Sequence, residues 1–310
     1  MILCKYAHPV RAWRRDDQLP MKCQVTCRLC DETDFKPLFR REFRVEVCRT
    51  CGLVQAVEPG RNLSKYYALE YRRRAMKPGS DPFPEHRTRN RSIVKWLQRS
   101  TPTLGTSRVL EIGCSAGWLL KEIAKTGASV GGIEPCLHAS GIAKSVNRIA
   151  DVQCCMLEDA DEKERYDAVV LIQTFEHMQE PLLALGKIAR LLKPNGLVFI
   201  EVPNFLSATG FYRRWHRGIA YPSPNHLFVY TKGTLAGILR KAGFEIRRME
   251  GRANIRAVAQ LGDDRKPPGN TTNDYMRVVA AWNIMRILYG IGSGFGRAMH
   301  LVAGRWTQHS

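Results

Sequence analysis

"RVLEIGCSAGWLLKEI", residues 108–123, decides the fold. An apolar run broken only by Glu111 leads into a turn carrying Gly113 and Gly117. Leu119, Leu120 and Ile123 then recur at helical spacing. That order is a buried strand, a tight turn and a helix from about Ala116 to Lys125, the opening of a βαβ unit. Downstream the pattern repeats. "ASVGGIE" is a strand, "HASGIAKSV" a helix, "ADVQCC" and "YDAVVLI" strands. "PLLALGKIARLL" is a helix ended by Pro194, Asn195 and Gly196, and "GLVFIEV" is the next strand. A helix over Thr231–Lys241 stops at Gly243, and "FEIRRMEGRANIRAVAQ" closes the unit as a hairpin. The expectation is an α/β fold, a doubly wound, mostly parallel seven-stranded Rossmann-like sheet over 106–261.

The turn also limits what it can hold. A dinucleotide fingerprint wants glycine at 113, 115 and 118; the chain has Gly113, Ser115 and Trp118. Bulky Trp118 crowds a pyrophosphate at the helix start, and Glu111 repels one. A carboxylate there suits a ligand with an ammonium group and no phosphate, which describes S-adenosylmethionine. Glu134 ends the second strand 21 residues after Gly113, where an acid can accept both ribose hydroxyls.

With "GGIEP", "YDAVVLIQTFEHMQEP", "LLKPNGLVFIEVPN" and "HLFVYTKGTLAGILRKAGFE", the stretch resembles the class I S-adenosylmethionine-dependent methyltransferases over about 107–260. It is most similar to the branch with an acid–His pair after the fourth strand. The resemblance implies Glu111, Gly113 and Gly117 around the methionine moiety, Glu134 on the ribose, and Gln173 to His177 lining the pocket. An acid normally meets the adenine amino group. Here Met156 stands near that position, with Glu158 or Asp159 as substitutes or a main-chain contact instead.

Upstream, Cys27-x2-Cys30 and Cys48-x2-Cys51 are separated by seventeen residues. Two such knuckles complete a tetrahedral zinc shell, closed and therefore structural. Gly52 suits a turn of positive φ. Cys4, Cys114, Cys136, Cys154 and Cys155 are expected as small apolar fillers, and Cys23 lies outside the pattern. The ribbon with "CGLVQ" resembles the zinc-binding N-terminal module of the sugar C-methyltransferases, which implies a sugar-type acceptor. Those enzymes carry a further large C-terminal domain, whereas here a short tail follows.

The expected organisation is a flexible extension over 1–20, a zinc ribbon over 21–60 and a basic helical connector over 61–105. The methyltransferase domain (106–261), a polar linker (262–274) and an amphipathic helical tail (275–310) follow. A helix over Arg87–Arg99 belongs to the connector, and the tail helix is expected to pack on the main domain. Residues 1–100 carry 22 Lys/Arg against 11 Asp/Glu, 101–200 carry 10 against 12, and 201–310 carry 16 against 6. A near-neutral centre thus has basic flanks, which suit an anionic acceptor, admit nucleic acid as a partner, and let the tail touch a membrane surface. No apolar run reaches a membrane span, and a cytoplasmic location is expected.

Methyl transfer from a sulfonium needs positioning first and a base only if the acceptor must lose a proton. His226 and His177 are the candidate bases, with Glu176 as an alternative. A metal-assisted version, with two Glu and two His around a divalent ion, meets Gln173 where the first Glu would stand. Two further functions compete with a small-molecule methyltransferase. One is an RNA methyltransferase using ribbon and basic flanks, although the chain lacks an Asn/Asp-Pro-Pro-aromatic motif. The other is a non-catalytic adaptor, against which the intact Glu111, Gly113, Gly117 and Glu134 speak.

Overall fold

The computed structural model describes residues 25–40, 44–56, 63–69, 84–163, 165–207, 226–262 and 274–285. The expected extension over 1–20, Cys4, Cys23 and most of the linker and tail lie outside the described residues.

The alternation read from the sequence becomes β4 (Arg108–Ile112), α3 (Trp118–Ala124), β5 (Ser129–Ile133), α4 (Leu137–Ser145) and β6 (Asp151–Gln153). It continues through β7 (Tyr166–Ile172), α5 (Pro181–Leu191), β8 (Leu192–Pro203), α6 (Lys232–Lys241), β10 (Phe244–Gly251) and β11 (Asn254–Leu261). The sheet order is β10-β11-β8-β7-β4-β5-β6. β4 pairs in parallel with β5 and β7, β5 with β6, and β7 with β8. β11 runs antiparallel between β8 and β10. The order reverses at β4, so the crevice for a ligand opens beyond its carboxyl end.

Helices cover both faces, because the strands are apolar on both sides. On one face α2 (Pro84–Ser100) and α3 bring Ile93, Trp96, Leu97, Leu119 and Ile123 onto Val109, Val170, Phe199 and Val258. On the other, Leu185 and Ile188 of α5 and Leu235 and Ile238 of α6 pack on Leu110, Val169, Val198 and Ala257.

The N-terminal strands β1 (Phe35–Arg40), β2 (Arg44–Cys48) and β3 (Val54–Ala56) form a small antiparallel sheet where the ribbon is expected, but not as a separate module. Their antiparallel sheet takes a fourth strand, β9 (Phe228–Val229), from within the methyltransferase domain. Cys27, Leu29, Cys48, Cys51 and Leu53 also share one core with the main sheet. The short helix α1 (Leu63–Leu69) follows the ribbon. The tail helix α7, residues 275–285, lays Val278, Trp282 and Met285 on Val45, Val47, Val54 and Val229. It therefore covers the ribbon sheet and also meets Phe205 and Val229 of the methyltransferase domain.

Several boundaries move for local reasons. α3 starts at Trp118, two residues late, because Ser115 and Gly117 both take positive φ (51° and 74°) and hold the turn open. α2 begins at Pro84, whose fixed φ and missing N–H suit a first helical position. β8 begins at Leu192, so Pro194 to Gly196 belong to an irregular strand start instead of a free turn. β6 ends at Gln153, leaving Cys154 exposed; it is no core filler. Cys114 and Cys136 are buried as expected, and Cys155 is half-buried.

Candidate active site and metal centre

The cleft lies across the tips of β4, β5 and β7. Its wall is formed by Ile112, Gly113, Ile133, Pro135, Met156, Leu157, Glu158, Thr174, His177, Met178 and Tyr67 of α1. Its empty space, open mouth included, is roughly 430 Å3. Gly113, at φ 75°, cannot be replaced without strain: a Cβ there would stand 2.6 Å from Thr174 Oγ1 and 2.7 Å from its Cγ2.

Two buried acids flank the turn. Glu134 accepts from the backbone N–H groups of Ser115 (2.8 Å) and Cys136 (2.9 Å), which folds the first loop onto the second strand tip. Glu111 Oε2 is buried with no hydrogen-bond partner among the described residues. Burial, reinforced by the charge of Glu134 and partly offset by Arg89, raises the Glu111 carboxyl well above its ordinary range. Such an acid, deprived of water, is a ready acceptor for an ammonium group. The anionic tips and the absence of a pyrophosphate cradle thus fit S-adenosylmethionine. Of the two substitutes for the adenine contact, Glu158 lines the cleft and Asp159 is not among its lining residues.

At the opposite end, His177 and His226 meet edge to face with ring centroids 4.9 Å apart. His226 Nε2 lies 4.0 Å from Oε1 of the fully buried Glu176, close enough to ion-pair when the imidazole is protonated. Tyr230 stacks on Phe175 (5.6 Å), and its phenol is pushed well above its ordinary value by burial and then by the Glu176 charge. The sequence reading missed Tyr67, whose hydroxyl lies 2.9 Å from His177 Nδ1. Its position 110 residues upstream in a basic connector gave no periodic signal. Ligand atoms of Glu176, His177 and His226 lie within 4.8 Å of one another. Gln173, where the first Glu of a metal-assisted site would stand, donates its amide to Glu201 Oε1 at 3.4 Å. Gln173, like Glu111, Gly117, Glu134, Glu176 and His226, is not among the residues of the cleft wall.

Glu201 is a second feature missed. This fully buried acid of β8 takes Arg89 (2.6 Å), Arg256 (2.7 Å), Asn254 (3.2 Å) and Gln173, so it ties α2 and β11 to the strand tips.

In the ribbon, Cys27, Cys30, Cys48 and Cys51 bring their sulfurs within 4.8 Å of one another. The pairs Cys27–Cys51 and Cys30–Cys48 stand 3.5 Å apart. A tetrahedron of Zn–S bonds of about 2.3 Å has edges of about 3.8 Å, so the cage is the right size. Cys27 is pushed up to about 12, first by its hydrogen bond with Cys48, while Cys48 is held far below its ordinary value by bonds from Cys27 and Cys51. Only a dication lets all four thiols ionise together.

The strand order, the glycine turn and the two acidic tips define a class I methyltransferase fold. A family model described as a methyltransferase domain matches residues 71–248, more than half of the chain, and the chain belongs to that family. The ubiquinone biosynthesis O-methyltransferase of Bradyrhizobium diazoefficiens is 36% identical over 110 residues, 34% of this chain and 44% of that protein. Its counterpart from Histophilus somni is 31% identical over 137 residues, 41% of this chain and 57% of that protein. The chain thus spans about half the length of these curated relatives. Among solved structures, magnesium protoporphyrin IX methyltransferase from Synechocystis with bound S-adenosylhomocysteine superposes with a TM-score of 0.47 at 19% identity, covering 61% of this chain and 92% of that one.

Proposed function

We propose that the protein transfers a methyl group from S-adenosylmethionine to a small polar acceptor of the sugar-linked, anionic kind. The observation that carries the donor assignment is the pair of buried acids on adjacent strand tips, Glu111 and Glu134, on either side of the Gly113 turn. The bound sulfonium supplies an activated methyl whose leaving group needs no proton. Glu111 holds the donor's ammonium group, Glu134 with its loop amides seats the ribose, and Glu158 reaches the adenine end.

Tyr67, Thr174 and His177 wall the side where the acceptor enters. His226 takes the acceptor proton, directly or through His177, and Glu176 stabilises the imidazolium from 4.0 Å. The four ribbon cysteines hold one structural zinc. The sugar acceptor rests on the ribbon's likeness to that of the sugar C-methyltransferases. The relatives' name brings an oxygen acceptor in ubiquinone biosynthesis as the second reading.

His226→Ala is expected to cut kcat on the order of 100-fold and to leave the affinity for S-adenosylhomocysteine, read by calorimetry, within a few-fold. Undiminished turnover removes His226 from the mechanism. A wild-type protein that binds neither donor nor demethylated donor defeats the whole assignment. Radiolabelled donor offered with nucleotide-linked sugars and with ubiquinone precursors decides between the acceptors.

A further inference from the structure

The ribbon is built into the wall that carries the histidines. Cys48 ends β2, and its N–H bonds to Leu53 O (2.9 Å) while Gly52 N–H returns to Cys48 O (2.9 Å). This knuckle runs straight into β3, with only two residues between it and Cys51. β3 pairs with β9 through Val54–Val229 and Gln55–Phe228, and Ala56 N–H donates to Leu227 O at 2.8 Å. Leu227 directly follows His226, and its own N–H donates to Glu176 O at 2.9 Å. One residue therefore links the ribbon edge on one side to the backbone of Glu176 on the other.

The first knuckle is docked as firmly. Arg28 bonds to Glu180 at 2.6 Å, just beyond the Glu176–His177 turn. Lys241 of α6 donates to Leu29 O at 3.0 Å and pairs with Asp31. Gln55 Nε2 reaches Thr26 O at 3.3 Å, so β3 is tied to both knuckles.

We propose that the four-cysteine site is a metal-dependent brace for the acceptor wall. A tetrahedral divalent ion fixes the two knuckles, the knuckles fix β3, and β3 fixes His226 through the Ala56–Leu227 bond. This chain of hydrogen bonds does not run through β4 or β5, which carry the donor half of the cleft and share only apolar packing with the ribbon. Ala56 is thus a positioning residue, and loss of metal disables turnover while leaving donor binding in place. This rests on the zinc and methyl-transfer readings above, and its principal readout needs neither donor nor turnover.

The full chain is labelled at histidine ring carbons, with His177 and His226 signals assigned by His→Asn variants. Metal is then stripped with a chelator and restored as zinc. The expected result is that the His226 and His177 signals shift on removal and return on zinc addition, while His138, exposed on α4, stays in place. In the same samples S-adenosylhomocysteine affinity stays within a few-fold and kcat falls on the order of 100-fold, as a misplaced catalytic group requires.

Ala56→Pro, which deletes the one N–H, is expected to reproduce the His226 shift and the kcat loss with zinc still bound. The brace is overturned if the His226 and His177 signals ignore metal removal, if His138 moves with them, or if the chain takes up no zinc. Retained zinc-dependent shifts in a protein that does not bind S-adenosylhomocysteine uphold the brace and overturn the methyl-transfer reading alone.

Discussion

Glu111 condenses the site's chemistry into one side chain. It is buried beside a second acid, and its Oε2 has no partner among the described residues. Its carboxyl is raised, first by burial and then by Glu134. The sign for stability follows from linkage. A carboxyl whose folded value lies above its unfolded one binds its proton more tightly in the folded state. Its ionisation therefore costs stability as pH rises from the unfolded value through the folded one, and the cost is fully present above both. Glu111→Gln removes that cost. The variant is expected to melt at or above the wild-type temperature at pH 7.5, with the gain vanishing toward pH 4. Donor affinity should nevertheless fall about 10–100-fold, because a charge-assisted bond to the ammonium group is lost. Calorimetry and thermal melts at the two pH values check both halves. A variant that melts lower and binds equally well contradicts the role given to Glu111.

Among elements, the junction of α2, β8 and β11 has the largest mechanical consequence. Glu201 is buried at the strand tip, and two guanidiniums from elements far apart in sequence converge on it. Removing the charge leaves Arg89 and Arg256 facing each other without a counter-ion. Both are partly solvated, so Glu201→Gln is expected to cost about 2–3 kcal/mol rather than the full penalty of a dry pair. A melting point lower by roughly 3–5 °C is the measurable outcome, and restoration by Arg256→Met in the same background identifies the unpaired charge as the cause. The same junction marks the limit of what the sequence tells. β4, its turn and β5 were legible because strand periodicity, Gly113 and Glu134 are local signals within some twenty residues. α5, α6 and the closing hairpin were legible for the same reason. Gln173, which the resemblance placed at the pocket, has a positive φ of 54° and donates its amide to Glu201, a long-range contact that no local pattern announces. Tyr67 and β9 were invisible: a two-residue strand has no period, and its partner lies some 170 residues upstream in the ribbon. Cysteine spacing revealed the four-cysteine cluster but not what it leans on.

For the whole molecule, charge is the property still to be assigned a purpose. Net charges of +11 and +10 flank a centre of −2, and the described part of the basic flanks includes Arg89, Arg256 and Lys241 around the strand tips and ribbon. Each of these three is already paired with an acid in the fold. Among the described residues, no helix is long and apolar enough to cross a membrane. A surface that only attracts small anions predicts a weak ionic-strength dependence. A polymer of phosphates neutralised at Z sites loses affinity with a slope of about −0.7Z for single strands. The expected result is that KM for a nucleotide-linked acceptor rises no more than a few-fold between 50 and 200 mM salt (screening lengths of about 14 and 7 Å both exceed a contact distance). Single-stranded RNA should neither inhibit turnover at these salts nor bind with a slope steeper than −2. Competitive inhibition by RNA with a slope of −4 or beyond would transfer the basic flanks, and with them the acceptor, from a small sugar to a nucleic acid.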